Sequence, residues 1–449
     1  MSKVIEDLEV GAGLDFLLSL APSREIAEQN IAAAQQHIRE IVEGEGAPGL
    51  QELEYRKNVL ASYLAQARSL MADPRTYDLV LGSKAIPYFK RIGIDLDLLR
   101  SVQGIEGRVA KMFTQENAHP EDGLLELTAA LLYRRHGFDV AFIEEQPAAA
   151  TPDMLATRAR FGVFAECKRV HPGQYQERER VRVQHLWRRA VPLIERHNLS
   201  VFVDAEFRVP TDEIPDDTIL DLIVRHALAP EIDHIVDNGQ ILAKISRANL
   251  GALQERVSRE YVLANSTQMA RLLTGVNRPR ANQVSLTRFM PHPDDRRFMD
   301  EVGQASLLQW RCTAESSLDA KSRHVLSRLG RANGQLPQGQ PGAVHIALSV
   351  TNEVDASERQ HAKNIAAIDG FDPRGTGFSW VYLNYLLPEI SEQTAWSIVE
   401  TAVSRPLVTC RYPNPLPDSA LLVLSDKGGS GVCAWNFPPE DDVYDGPQH

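Results

Sequence analysis

The chain has 449 residues, 43% hydrophobic and 24% charged, which is ordinary globular usage with material for several domains and excludes wholesale disorder. Forty-eight basic residues face 60 acidic ones, a formal net charge of −12, so non-specific adhesion to nucleic acid is excluded and any such contact must be a local basic patch. Apolar runs fall far short of the roughly 18 residues a membrane span needs, the acidic start is unlike a signal peptide, and cysteines at 167, 312, 410 and 433 make no CxxC pair, leaving a reduced, cytoplasmic protein without a membrane partner as the expectation.

Residues 1–118 are predicted helical. Segments 24–42 and 51–71 carry apolar residues at three- and four-residue spacing, divided by the turn-rich 44–49 and closed by Asp73-Pro74. From His119 the pattern changes to a helix over 121–136 that Gly137 ends, β-like runs over 138–144, 151–158 and 161–170, a long helix over 174–198 and a strand over 200–207. Helix, three strands, helix and strand within 119–210 make one compact α/β unit. Beyond it the expectation is a mixed region over 211–342, with a helix over 216–228, a strand over 239–245, an exposed Arg/Pro-rich loop over 277–297 and a helix over 316–331. A C-terminal α/β region over 343–449 has strands at 343–350 and 420–424, a helix near 392–403 and a frayed tail from 438. The fold class is therefore α/β (α+β).

Four residues of the compact unit are out of place. Side chains alternate along a strand, so Glu166 and Lys168 share one face, roughly 7 Å apart, on a strand otherwise apolar on both faces. Glu126 interrupts the helix 124–133, which is apolar nearly all round. Asp153 follows Pro152 at the start of the second strand. Burying such groups costs several kcal/mol, as an order of magnitude, unless they are paired or bind a metal. Three carboxylates with one lysine suit a hard cation such as Mg²⁺.

Pro152-Asp153, twelve further residues and then Glu166-Cys167-Lys168 resemble the PD-(D/E)xK motif of the restriction-endonuclease-like nucleases, and Glu126 resembles the acid such enzymes often carry in their first core helix. The resemblance covers roughly residues 119–208. It implies a Mg²⁺-dependent nuclease, with Mn²⁺ able to substitute, acting in restriction, phage defence or repair. It also implies that Asp153 and Glu166 hold the metal with the Cys167 carbonyl as a further ligand. Lys168 would orient the attacking water or stabilise charge on the phosphate, and Glu126 would assist.

Between 158 and 198 ten bases stand against four acids. Arg169, Arg178, Arg180, Arg182, Arg188 and Arg189 form the expected nucleic-acid surface, arginine suiting bidentate phosphate contact; DNA is favoured over RNA by family frequency. Gln176 or Gln184 matches a glutamine that some relatives use. The N-terminal helices are the expected seam of a homodimer. Asp319-Ala320-Lys321 reads as surface charge, His345 as a core histidine, Cys167 as packing and 428–431 as a turn. Two rival readings remain open: a non-catalytic scaffold whose four polar residues form a buried salt-bridge network, and a metal-dependent hydrolase of nucleotides.

Overall fold

The computed structural model describes residues 7–43, 55, 57–114, 119–144, 150–170, 174–275, 282–350, 357–389, 396–418 and 420–423. The expected turn at 44–49, the turn at 428–431 and the tail from 438 lie outside them. Six helices come first: α1 (Leu8–Ser19), α2 (Arg24–Glu43), α3 (Val59–Ala72), α4 (Leu79–Ile94), α5 (Leu96–Arg100) and α6 (Ile105–Thr114). Then follow α7 (Pro120–Arg135), β1 (Asp139–Phe142), β2 (Met154–Arg158), β3 (Phe161–Val170), α8 (Gln174–Arg196), β4 (Val201–Phe207), α9 (Thr218–Leu228), β5 (His234–Asp237), β6 (Ile241–Arg247), α10 (Leu250–Val257), β7 (Val262–Leu263) and α11 (Thr267–Thr274). The order closes with β8 (Asn282–Pro291), β9 (Phe298–Cys312), α12 (Glu315–Asn333), β10 (Gly342–Ser349), α13 (Glu358–Asp369), β11 (Phe378–Glu389) and β12 (Ser397–Pro406). The protein is a mixed α/β fold, and no helix of the described residues is long and apolar enough to cross a membrane.

Local chemistry explains the helical start. Ala27, Ile31, Ala34, Ile38 and Val42 recur at three- and four-residue spacing along α2, and all are buried. Asn58 and Asp78 cap α3 and α4, their carboxamide and carboxylate oxygens accepting from the amides of Ala61 at 2.9 Å and Leu81 at 2.7 Å. Gly137, at φ +77°, follows α7 in the left-handed region that a terminating glycine supplies.

The strands form two sheets, one ordered β1-β2-β3-β10-β11-β12 and one ordered β5-β6-β4-β9-β7 with β8 on β9. In the first, β1, β2 and β3 run antiparallel, while β10 lies parallel to both β3 and β11. This corrects the expected unit. β4, which should have completed the sheet, instead lies between β6 and β9 in the second one. α8 goes with it, burying Val183, Leu186, Trp187, Ala190 and Ile194 against Val201, Val203 and Ala205. The neighbour of β3 is β10, paired from Gly342↔Phe164 to Leu348↔Val170. α12 covers that face, with Val325 and Leu329 in one core with Val170. Residues 174–341, with the whole second sheet, are thus interposed between two adjacent parallel strands. An apolar interior strand demands a partner on each side, but its pattern does not say which one.

Two further expectations give way to long-range pairing. Within the presumed loop at 277–297, residues 277–281 lie outside the described ones and 282–291 form β8, laddered along β9 from Asn282↔Trp310 to Pro291↔Met299. The presumed helix near 392–403 is strand β12 from Ser397 on, antiparallel to β11; 390–395 are outside the described residues. Its Ile398, Val399, Thr401 and Val403 suit a strand, and β11 supplies the partner. At 420–424 no strand forms over the described 420–423; the Glu400 carboxylate accepts the Leu422 and Val423 amides at 2.6 and 3.0 Å.

Helices α1 and α4 cross so closely that a Cβ on Gly93 would lie 1.8 Å from the Glu9 carbonyl oxygen. On helix propensity alone Gly93→Ala would gain about 1 kcal/mol. The backbone clash reverses the sign, and we predict a net loss of about 1–3 kcal/mol, read as a lower urea midpoint. An unchanged midpoint would show that the helices do not cross this closely.

Candidate active site

The candidate site lies where β2 stops and β3 continues. The register to β2 ends at Met154↔Ala165, whereas that to β10 runs on to Val170. Val163, Ala165 and Cys167 of β3 enter the core formed with α7, so alternation puts Glu166 and Lys168 on the opposite, α12-covered face. At the end of the β2 ladder, Asp153 takes over its bonding. One carboxylate oxygen accepts the Cys167 amide at 2.7 Å, and the Asp153 amide donates to Glu166 Oε2 at 3.1 Å. Lys168 Nζ donates to Glu166 Oε1. Glu166 is fully buried, while the Lys168 side chain keeps 19% of its surface. The three motif residues therefore form one connected cluster.

Glu126 joins them through a residue that the sequence pattern did not single out. Arg108 of α6 ion-pairs through Nε with Glu126 Oε2 and donates from Nη2 to Asp153 Oδ1 at 2.6 Å. Its side chain is only 8% exposed, and its guanidinium carbon lies 5.5 Å from the Phe142 ring centroid. The α5–α6 connection fixes α6 there. Gln103 bridges to the edge of β1, its amide donating to the Val140 carbonyl at 3.0 Å and its carbonyl accepting from Phe142 at 2.9 Å. The one sequence-level signal for Arg108 is indirect: a glutamate in an apolar helix requires a cation, and only the fold selects which.

The cluster holds three carboxylates, Glu126, Asp153 and Glu166, against two cations, Arg108 and Lys168. Burial first, and the Asp153 carboxylate next, push Glu126 and Glu166 up to about 8. Burial also raises the Cys167 thiol well above its ordinary range, which fits a packing role. Three carboxylates offer the hard oxygen donors that Mg²⁺ or Mn²⁺ takes. In this arrangement, however, both oxygens of Asp153 and both of Glu166 already accept from protein donors. Among the described residues no group of three or more His, Cys, Asp and Glu side chains is placed to hold a metal.

The expected nucleic-acid surface is only partly assembled. Arg169 turns inward, its side chain 8% exposed, bonding Ser349 Oγ at 2.9 Å and lying 3.5 Å from Glu121; it fastens the helical region to the sheet. Arg180 pairs with Glu177, Arg182 with Asp216 and Arg189 with Asp217, so acids before α9 meet much of the patch. Arg178 and Arg188 are exposed. Gln176 lines a small cavity with Lys321, Gln360 and Asn364 rather than joining the acids, and Gln184 lies on α8 beside the second sheet's core. Lys321 is not surface charge: it is 9% exposed and 3.5 Å from the buried Glu179. His345 is the expected core residue, fully buried, 3.0 Å from the Tyr133 hydroxyl and stacked on Tyr382.

Comparisons of the chain with protein-family models, with curated proteins and with solved structures find no match.

The raised acids make stability depend on pH. In the unfolded chain these carboxyls titrate near 4.5, so the folded state binds their protons more tightly. Their contribution is fully present below about 4.5 and is lost as pH rises through about 8. Glu126→Gln, which cannot ionise, is predicted to lose less stability between these limits than the parent chain. Urea midpoints across that range in metal-free buffer check this; parallel curves would show that Glu126 ionises freely in the folded state.

Proposed function

We propose that the protein is a metal-dependent nuclease that hydrolyses phosphodiester bonds, DNA being the favoured polymer. The observation that carries this reading is the convergence of Asp153, Glu166 and Lys168 at the open end of β2, with Glu126 joined through Arg108. The spacing is that of the PD-(D/E)xK motif, and β10 lies beside β3 in parallel. Asp153 and Glu166 would hold Mg²⁺ or Mn²⁺, with the Cys167 carbonyl as a further ligand. The cation, when bound, would activate water and neutralise charge at the phosphate. Lys168, the most exposed of the three side chains, would orient the attacking water or oppose charge on the phosphoryl oxygens. Arg178 and Arg188 on the outer face of α8 would contact the polymer backbone.

A cytoplasmic setting and a homodimer belong to the same proposal, since cutting both strands calls for two sites. The apolar stripe of α2 is buried within the chain, so such a dimer would use the outer faces of the N-terminal helices.

One observation favours a second reading. The pairs Lys168–Glu166, Arg108–Glu126 and Arg108–Asp153 make the buried ion-pair network expected of a non-catalytic scaffold on this fold. Incubation with supercoiled plasmid, single-stranded DNA and RNA, in Mg²⁺, Mn²⁺ or EDTA, separates the two. The nuclease reading predicts metal-dependent cleavage, abolished in Asp153→Ala and slowed about a hundredfold or more in Lys168→Ala. Cleavage that survives both substitutions would sink the assignment. Absence of cleavage from a chain that also binds no divalent cation would establish the scaffold.

A further inference from the structure

We propose that Arg108 is a built-in competitor of the divalent cation: it occupies the acids while the site is metal-free and must withdraw before Asp153 and Glu126 are available. The inference rests on the metal-dependent reading above and concerns regulation of that same site. The geometry is that of a bridging cation. One guanidinium reaches Glu126 through Nε and Asp153 Oδ1 through Nη2, at 2.6 Å for the latter, between acids that arrive from α7 and from the end of β2.

Two physical points make this a competition. Guanidinium does not lose its proton in a protein, so Arg108 cannot yield the acids by neutralising itself; it has to move. Nor can it leave alone, because removing one partner from a buried ion pair strands uncompensated charge. With all three acids ionised, the carboxylates with Arg108 and Lys168 sum to −1; the same ionised acids with Lys168 and a divalent ion sum to zero. Exchange of the arginine for the ion therefore improves the charge balance of the cluster.

The arginine is also mounted so that its withdrawal is a motion of the helical region. α6 is tied to the sheet by the short Gln103 bridge to β1 and packs through Met112 against Gly123 of α7. The freed fork would then be available to a phosphate.

The test is calorimetric titration of the intact chain with Mn²⁺, without nucleic acid. Arg108→Gln is expected to bind about tenfold or more tightly than the parent chain, and adding Asp153→Asn is expected to remove that gain. Arg108→Lys, which keeps a charge but lacks the fork, is expected to fall between them. It carries the test if the glutamine variant does not fold by circular dichroism. Equal affinities in the parent and the Arg108 variants, still sensitive to Asp153→Asn, would overturn the competition and leave the metal reading standing. No Mn²⁺ binding by any of them would overturn both.

Discussion

A carboxylate without solvent exposure, set beside two others, must either hold its proton or have cations built around it. Glu166 is such a group, with Glu126 and Asp153 as neighbours, and several parts of the molecule are arranged to meet its demand. β3 itself supplies Lys168 two residues on. Two backbone amides, of Asp153 and Cys167, stand in for a ladder that β2 no longer continues. The second cation comes from α6, which couples the helical N-terminal region to the site electrostatically as well as through packing.

The same demand explains the connection between the helical region and the sheet. Arg169 on the opposite face of β3 is surrounded by Glu121 of α7 and by the tyrosines Tyr63 and Tyr88 of α3 and α4. Arg108 and Arg169 thus bind the helices to the strand that carries the motif, one at the site and one behind it. Charge rather than apolar surface alone sets how the N-terminal region meets the sheet.

The interposed segment 174–341 has a different consequence. It carries α8 away from the motif and gives the long helix a second sheet to cover, with Arg182 and Arg189 met by Asp216 and Asp217 before α9. A count of charges along the helix overstates its positive field, because acids close in space lie outside the window counted. Arg178 and Arg188 are exposed, as are the acid-paired Arg180 and Arg189.

Features governed by near neighbours were legible in the sequence. The helices of the first hundred residues, the ends of α7 and β3, the burial of Glu166 and the sharing of one face by Glu166 and Lys168 follow from periodicity, capping and alternation, whose range is a few residues. Asp153 immediately precedes β2 and Glu166 lies on β3, strands joined by a two-residue turn, so their meeting was also local. Only the tertiary structure decided that β10 rather than β4 lies beside β3, that 282–291 and 397–406 are strands, and that Arg108 bridges the acids. Each of those depends on a partner far along the chain. A strand's pattern states that it must be paired and a buried acid's chemistry that it must be neutralised, but neither names the distant residue that does it.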